Sequence, residues 1–120
     1  MLPLVIYLPC NILHLIQVQQ LQNIFYSAMS DYRSGNYGRA ITKFESVRQT
    51  RGASEEVRQA AVYNIGMCDL RMRRFATAVF YFEQYLSMGG SDRENGEQRL
   101  AEAKRGAGIP VEDEEAEVTL

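Results

Sequence analysis

Apolar residues recur at intervals of three and four between residues 60 and 86, which is the spacing of amphipathic helices. The pattern breaks near Arg73 and then resumes, so it predicts two antiparallel helices joined by a tight turn. Gly66 and Ala78 fall near the middle of these helices, where a small side chain lets two backbones approach closely. We therefore predict a helical hairpin with both residues at its crossing.

The same pattern occurs 38 residues earlier, at the separation of Ala40 from Ala78. When the two copies are aligned at this offset, aromatic residues match aromatic residues, small residues match small residues, and charged residues match residues of like charge. The matched pairs include Phe25 with Tyr63, Ala28 with Gly66, Asp31 with Asp69, Tyr37 with Phe75, and Phe44 with Phe82. The chain therefore contains an internal repeat of a helical hairpin.

These residues resemble the tetratricopeptide repeat (TPR) family, whose unit is a helix–turn–helix with small and aromatic residues at fixed positions. The pattern is carried by Tyr63-Asn64-Ile65-Gly66, Phe75, Ala78 and Phe82, and by Ala28, Gly35-Asn36-Tyr37, Ala40 and Phe44. The family repeat has about 34 residues, so the additional residues here must lie between the copies, around residues 50 to 56. The resemblance implies an all-α fold, a right-handed α-solenoid of antiparallel hairpins with about five helices.

Hydrophobic patterning divides the chain into three parts. A TPR-like helical domain is predicted over residues 17–108, with repeats at 21–53 and 59–90 and a capping helix at 92–106. Ser54 is predicted to cap the third helix, and Ser91 or Asp92 the capping helix. Residues 109–120 form an acidic tail that is predicted to be disordered.

Residues 1–16 form an apolar N-terminal arm that Pro3 and Pro9 interrupt. Its longest apolar run is far below the roughly 20 residues that a membrane-spanning helix needs, so membrane insertion is not expected. We expect Ile12 to Val18 to start a helix that covers the open face of the first repeat, or the arm to pack against another copy of the chain. The predicted location is cytoplasmic, and the alternative is membrane association through this arm.

The sequence offers little chemistry. His14 is its one histidine, and no nucleophile–base pair, phosphate-binding loop or zinc-ligand spacing is present. We therefore predict a protein that is not an enzyme and that holds no cofactor or metal. The basic cluster around Arg73 is too small to indicate a nucleic-acid partner. Cys10 and Cys68 are predicted to be buried thiols in a reducing compartment.

In TPR proteins the first helix of each repeat lines a concave groove that holds a peptide or helix. The positions that match these groove sites are Gln22, Phe25, Met29, Tyr32 and Arg33 in the first repeat, and Ala60, Tyr63, Met67, Leu70 and Arg71 in the second. Their aromatic and methionine side chains are typical of a binding surface. The resemblance therefore implies a partner-binding site made by Phe25, Met29, Tyr32, Arg33, Tyr63, Met67, Leu70 and Arg71.

Two functions fit this pattern. The first is a non-catalytic adaptor or chaperone-like module that holds a protein or peptide partner in the groove. The alternative is a structural subunit whose groove and apolar arm are used in an obligate homo-oligomer or larger assembly. Some groove residues could also belong to the core, covered by the arm or by the fifth helix.

Overall fold

The computed structural model describes residues 9–112, and this part of the chain is all-helical, as predicted. Its five helices are α1 (Cys10–Arg33), α2 (Tyr37–Gln49), α3 (Glu55–Arg71), α4 (Phe75–Ser87) and α5 (Arg93–Ala107). Residues 1–8 of the predicted arm and most of the predicted acidic tail, residues 113–120, lie outside the described residues.

Each helix packs chiefly against the next helix in the chain, and α3 takes part in two hydrophobic clusters. The first cluster joins α1, α2 and α3 through Leu21, Ala28, Ala40, Phe44, Val47, Ala53, Ala61, Ile65 and Cys68. The second joins α3, α4 and α5 through Met67, Leu70, Ala78, Val79, Phe82 and Ala103. Because α3 has a core on two sides, it buries every residue from Ile65 to Leu70.

The turns of the two hairpins have the same backbone hydrogen bonds at the 38-residue offset. In the first turn Ser34, Gly35 and Asn36 donate to the carbonyls of Ser30, Tyr32 and Asp31, and in the second Met72, Arg73 and Arg74 donate to those of Cys68, Leu70 and Asp69. Gly35 has a φ of 81° and its counterpart Arg73 a φ of 61°, so both are left-handed. The internal repeat therefore extends to the geometry of the turns.

Arg73 is strained at this position, because its Cβ approaches the following carbonyl in the left-handed conformation. We expect Arg73→Gly to unfold at a higher denaturant concentration than Arg73→Ala, with a difference of about 1–2 kcal/mol. The Arg73 guanidinium stacks on Phe75, with Cζ 5.3 Å from the ring centroid, and both variants lose this contact. The difference in their unfolding free energies therefore measures the backbone strain alone. Equal stability in urea unfolding would contradict the left-handed assignment.

Two helix starts are capped by side chains, as the sequence predicted. The Ser54 hydroxyl accepts a hydrogen bond from the Val57 amide at 3.2 Å, and the Asp92 carboxylate accepts one from the Asn95 amide at 3.1 Å. Each cap pairs an amide that would otherwise have no partner in the first turn. These caps fix where α3 and α5 begin.

Helix α1 begins at Cys10, close to the predicted helix start at Ile12, and residues 10–16 of the predicted arm form its first turns. No Gly or Pro interrupts the chain between Pro9 and Ser34, and Pro9 is tolerated at a helix start because amides there lack an intrahelical partner. Within residues 9–112, no helix combines the length and apolar character that a membrane span requires.

Candidate functional site

The structure places the eight predicted binding residues in three environments. Arg33 and Arg71 are exposed, Phe25, Met29, Tyr32 and Tyr63 are partly exposed, and Met67 and Leu70 are buried. The last two are each 8% exposed and belong to the core between α3, α4 and α5. The predicted groove is therefore open along α1 and largely closed along the second half of α3.

Helix α5 covers the predicted groove along the second half of α3. The Asn95 side-chain amide donates a hydrogen bond of 2.6 Å to the Tyr63 hydroxyl, and the Tyr63 ring packs against Phe82 and Tyr85 at centroid distances of 5.6 and 5.2 Å. Ala103 of α5 joins Met67 in the core. Met67 and Leu70 are thus core residues and do not offer a contact surface, which corrects their predicted role.

Two other predicted residues meet across the helices. The Arg71 guanidinium donates from Nε to the Tyr32 hydroxyl at 3.2 Å, which links the C-terminal ends of α1 and α3. The Tyr32 ring also meets Tyr37 edge-on, with centroids 5.5 Å apart. Arg33 lies at the same end of α1, so this end of the helices is basic.

A cavity of about 380 Å³ lies between α1 and the start of α3. Its lining consists of His14, Val18, Leu21, Gln22, Phe25, Tyr26, Gly52, Ser54, Glu56, Val57 and Ala60. Phe25 comes from the eight predicted residues, and Gln22 and Ala60 from the wider set of groove positions. The lining is mainly apolar and its volume is in the range of ligand and peptide pockets.

A second cavity, of about 250 Å³, lies between α3 and α5. It is lined by Glu56, Gln59, Ala60, Tyr63, Asn64, Tyr85, Ser91, Asp92 and Asn95. Glu56 and Ala60 line both cavities, so the two adjoin across α3. We call the pair the furrow: it is apolar between α1 and α3, and polar, with two carboxylates, between α3 and α5.

The two cysteines lie in different environments. Cys68 is buried, and burial, followed by the negative charge of Asp69, raises the pKa of its thiol to about 12. It therefore stays a protonated, unreactive thiol at neutral pH. Cys10 is exposed, so the prediction that both thiols are buried is wrong for Cys10, which lies in the first turn of α1 beyond the reach of the core.

Most of the furrow was not predicted from the sequence. The sequence signal that could have found it is the apolar stripe of α1 continuing N-terminally through Val18, opposite a third helix capped at Ser54. Comparison of the chain with protein-family models, curated proteins and solved structures found no match.

Proposed function

We propose that this protein is a non-catalytic protein–protein interaction module that holds a peptide or helix of a partner in the furrow. The observation that carries the proposal is the pair of adjoining cavities on α1, α3 and α5. An apolar recess beside a polar one can bury an anchor side chain and orient the segment around it.

A TPR-like α-solenoid is the architecture we propose for this module. Its support is the pair of hairpin turns with equivalent hydrogen bonds and the packing of each helix on the next in the chain. In such an arrangement α1 and α3 are the first helices of consecutive repeats, and the apolar half of the furrow lies between them. This is the surface that TPR proteins use for binding.

The lining also indicates what kind of segment would bind. Leu21, Phe25 and Val57 offer apolar contacts for an apolar anchor side chain. Glu56 and Asp92 line the polar cavity, and within residues 9–112 neither forms a salt bridge. A segment with an apolar anchor and a neighbouring basic or amide side chain would therefore suit the furrow.

A structural role in a homo-oligomer is the second candidate function. The observation that favours it is a group of exposed apolar residues at the start of α1, Ile12, Leu13, Leu15 and Ile16. Contiguous apolar surface of this kind typically marks a contact with another protein. In either function the protein acts by binding, in a proposed cytoplasmic location.

Ala60→Trp is expected to abolish partner binding, because the indole would fill the point where the two cavities meet. Ala76→Trp is the matched control: it makes the same change at an exposed site on α4 that lines neither cavity. Peptides selected from a displayed random library on the wild-type protein should bind at least tenfold more weakly to Ala60→Trp and equally well to Ala76→Trp.

Binding is measured by titration with fluorescent copies of the selected peptides. Circular dichroism of both variants checks that the helices are intact. The proposal fails if the library yields no binder, or if the selected peptides bind Ala60→Trp as tightly as the wild type.

A further inference from the structure

The first turns of α1 present apolar side chains with nothing packed on them in the described chain. All residues from Cys10 to Ile16 are exposed, and Leu13 and Leu15 keep 51% and 64% of their surface. We call Ile12, Leu13, Leu15 and Ile16 the ridge. A helix that is apolar on several sides is normally buried against another element, so the ridge lacks a contact.

The ridge adjoins the apolar cavity on the same helix. His14, which lines the cavity, falls between ridge residues, and Val18 follows the ridge and leads into the cavity stripe through Leu21 and Phe25. The Gln17 side chain donates to the Arg51 carbonyl at 2.7 Å, which ties this part of α1 to the loop before α3. A protruding apolar surface and an apolar recess therefore lie next to each other on α1, and the hydrogen bond to the loop before α3 holds them in place.

We infer that the apolar cavity of one copy receives the ridge of a second copy, and that the contact is reciprocal. The inference rests on the proposed function and names its partner: the helix held in the furrow is α1 of another copy. A two-fold axis beside Gln17 and Val18 would set the two α1 helices antiparallel, with residues 10–16 of each helix opposite residues 19–25 of the other. Each ridge then meets the partner's cavity, which gives an isologous dimer.

Charge supports a second copy as the occupant. Residues 10–30 of α1 contain no Asp, Glu, Lys or Arg, so two α1 helices can approach along this length without opposing like charges. Among the described residues, Glu56 is the one Asp, Glu, Lys or Arg residue in the lining of the apolar cavity. A foreign partner would need an apolar surface of its own to fill this cavity, whereas the chain itself supplies one in the ridge.

The area that a stable dimer buries favours a contact in which each copy contributes both its ridge and its cavity. A stable dimer buries about 800 Å² on each partner, which is more than four side chains at the end of one helix can supply. A two-fold contact buries the ridge and the cavity of each copy together, so every chain contributes both surfaces. A one-sided contact would leave one ridge and one cavity exposed.

Another exposed apolar residue provides the control. Phe80 on α4 is 59% exposed but stands away from the furrow, with its ring edge-on to Tyr81 at 5.2 Å. Single exposed apolar residues are common on protein surfaces and need no partner. Phe80→Glu should therefore leave self-association unchanged.

Sedimentation velocity across a concentration series tests the dimer. The full chain is expected to dimerise, and Leu15→Glu to raise the dimer dissociation constant at least 100-fold, while Phe80→Glu matches the wild type. Leu15 is exposed and lines neither cavity, so the substitution leaves the fold and the furrow intact. A wild-type chain that stays monomeric at hundreds of micromolar, or a dimer that Leu15→Glu does not weaken, overturns the inference.

A spin label locates the contact. Cys10 is exposed and Cys68 buried, so a thiol-reactive label attaches at the start of α1. Mixed with ¹⁵N-labelled protein that carries no spin label, it should broaden amides around the partner's Phe25 and Tyr26 and leave those of α4 sharp. Broadening confined to α4 or α5 overturns the inference.

The same variants separate this inference from the proposed function. Monomeric Leu15→Glu keeps the furrow, so it should bind the selected peptides at least as tightly as the wild type, because the competing ridge is gone. Peptide binding by a wild-type monomer rejects the dimer and keeps the proposed function. A wild-type dimer that Leu15→Glu dissociates, but whose monomer binds no peptide, supports the dimer and rejects a furrow for foreign peptides.

Discussion

Phe82→Ala is expected to lower the free energy of unfolding by about 3–5 kcal/mol, a large share of the stability of a small domain. The Phe82 side chain is fully buried in the core that joins α3 to α4 and α5. Its ring lies against Gly66, where an added Cβ would come within 3.0 Å of it. Removing the ring therefore leaves a cavity at the crossing of α3 and α4, which the backbone can fill only by moving.

Phe80→Ala is the matched control, because it makes the same change two residues earlier on the same helix. Phe80 is mostly exposed, so the variant should lose less than about 1 kcal/mol. Chemical unfolding followed by circular dichroism measures both. If the two variants lose similar amounts of stability, the inward and outward faces of α4 are misassigned.

The hairpins could be predicted from the sequence because their determinants are local. Helical spacing and the turn positions at Gly35 and Arg73 act within a few residues, and the cap at Ser54 acts over three. The small residues at the crossing, Gly66 and Ala78, were also readable because the repeat shows them twice. Such features need no knowledge of the tertiary arrangement.

The candidate site could be predicted only in part, because it depends on how separate helices meet. The capping helix α5 was predicted, but the sequence pattern does not say which side of α3 it covers. Its contact with Met67 therefore appears only in three dimensions. The apolar cavity likewise depends on the loop before α3, whose Gly52 lies against Gln17 of α1.

Asp69 lacks the ion-pair partner that its counterpart in the first repeat possesses. In the first repeat its counterpart Asp31 forms an ion pair with Lys43, with Nζ and Oδ2 2.6 Å apart. In the second repeat the position of Lys43 is taken by Tyr81, whose hydroxyl donates to Glu45 instead. Asp69 is 2% exposed, and its Oδ2 has no hydrogen-bond partner among the described residues.

Burial raises the pKa of the Asp69 carboxyl above its usual 3.8, and the charge of Arg74 offsets this only in part. A carboxyl with a raised pKa in the folded state favours folding when it is protonated. The stabilisation by the protonated carboxyl is therefore lost as the pH rises from about 3.8 to the folded-state pKa. At neutral pH the buried carboxylate lowers the free energy of unfolding. Asp69→Asn should remove this part of the pH dependence.

A cation beside Asp69 should offset the destabilisation that its carboxylate causes at neutral pH. Tyr81→Lys places an ammonium where Lys43 stands in the first repeat, so at pH 7 it should be more stable than Tyr81→Met by about 1–3 kcal/mol. Tyr81→Met is the appropriate reference, because both variants lose the phenol and its hydrogen bond to Glu45. The comparison therefore measures the new charge and not the lost ring.

Urea unfolding of the two variants, alone and combined with Asp69→Asn, completes a double-mutant cycle. The advantage of lysine over methionine should disappear when residue 69 is asparagine, because no carboxylate is left to pair with the ammonium. It should also shrink at pH 3, where the Asp69 carboxyl is protonated in the folded state. An advantage that persists in both conditions would show that the introduced ammonium acts elsewhere, and that the 38-residue register does not place position 81 beside Asp69.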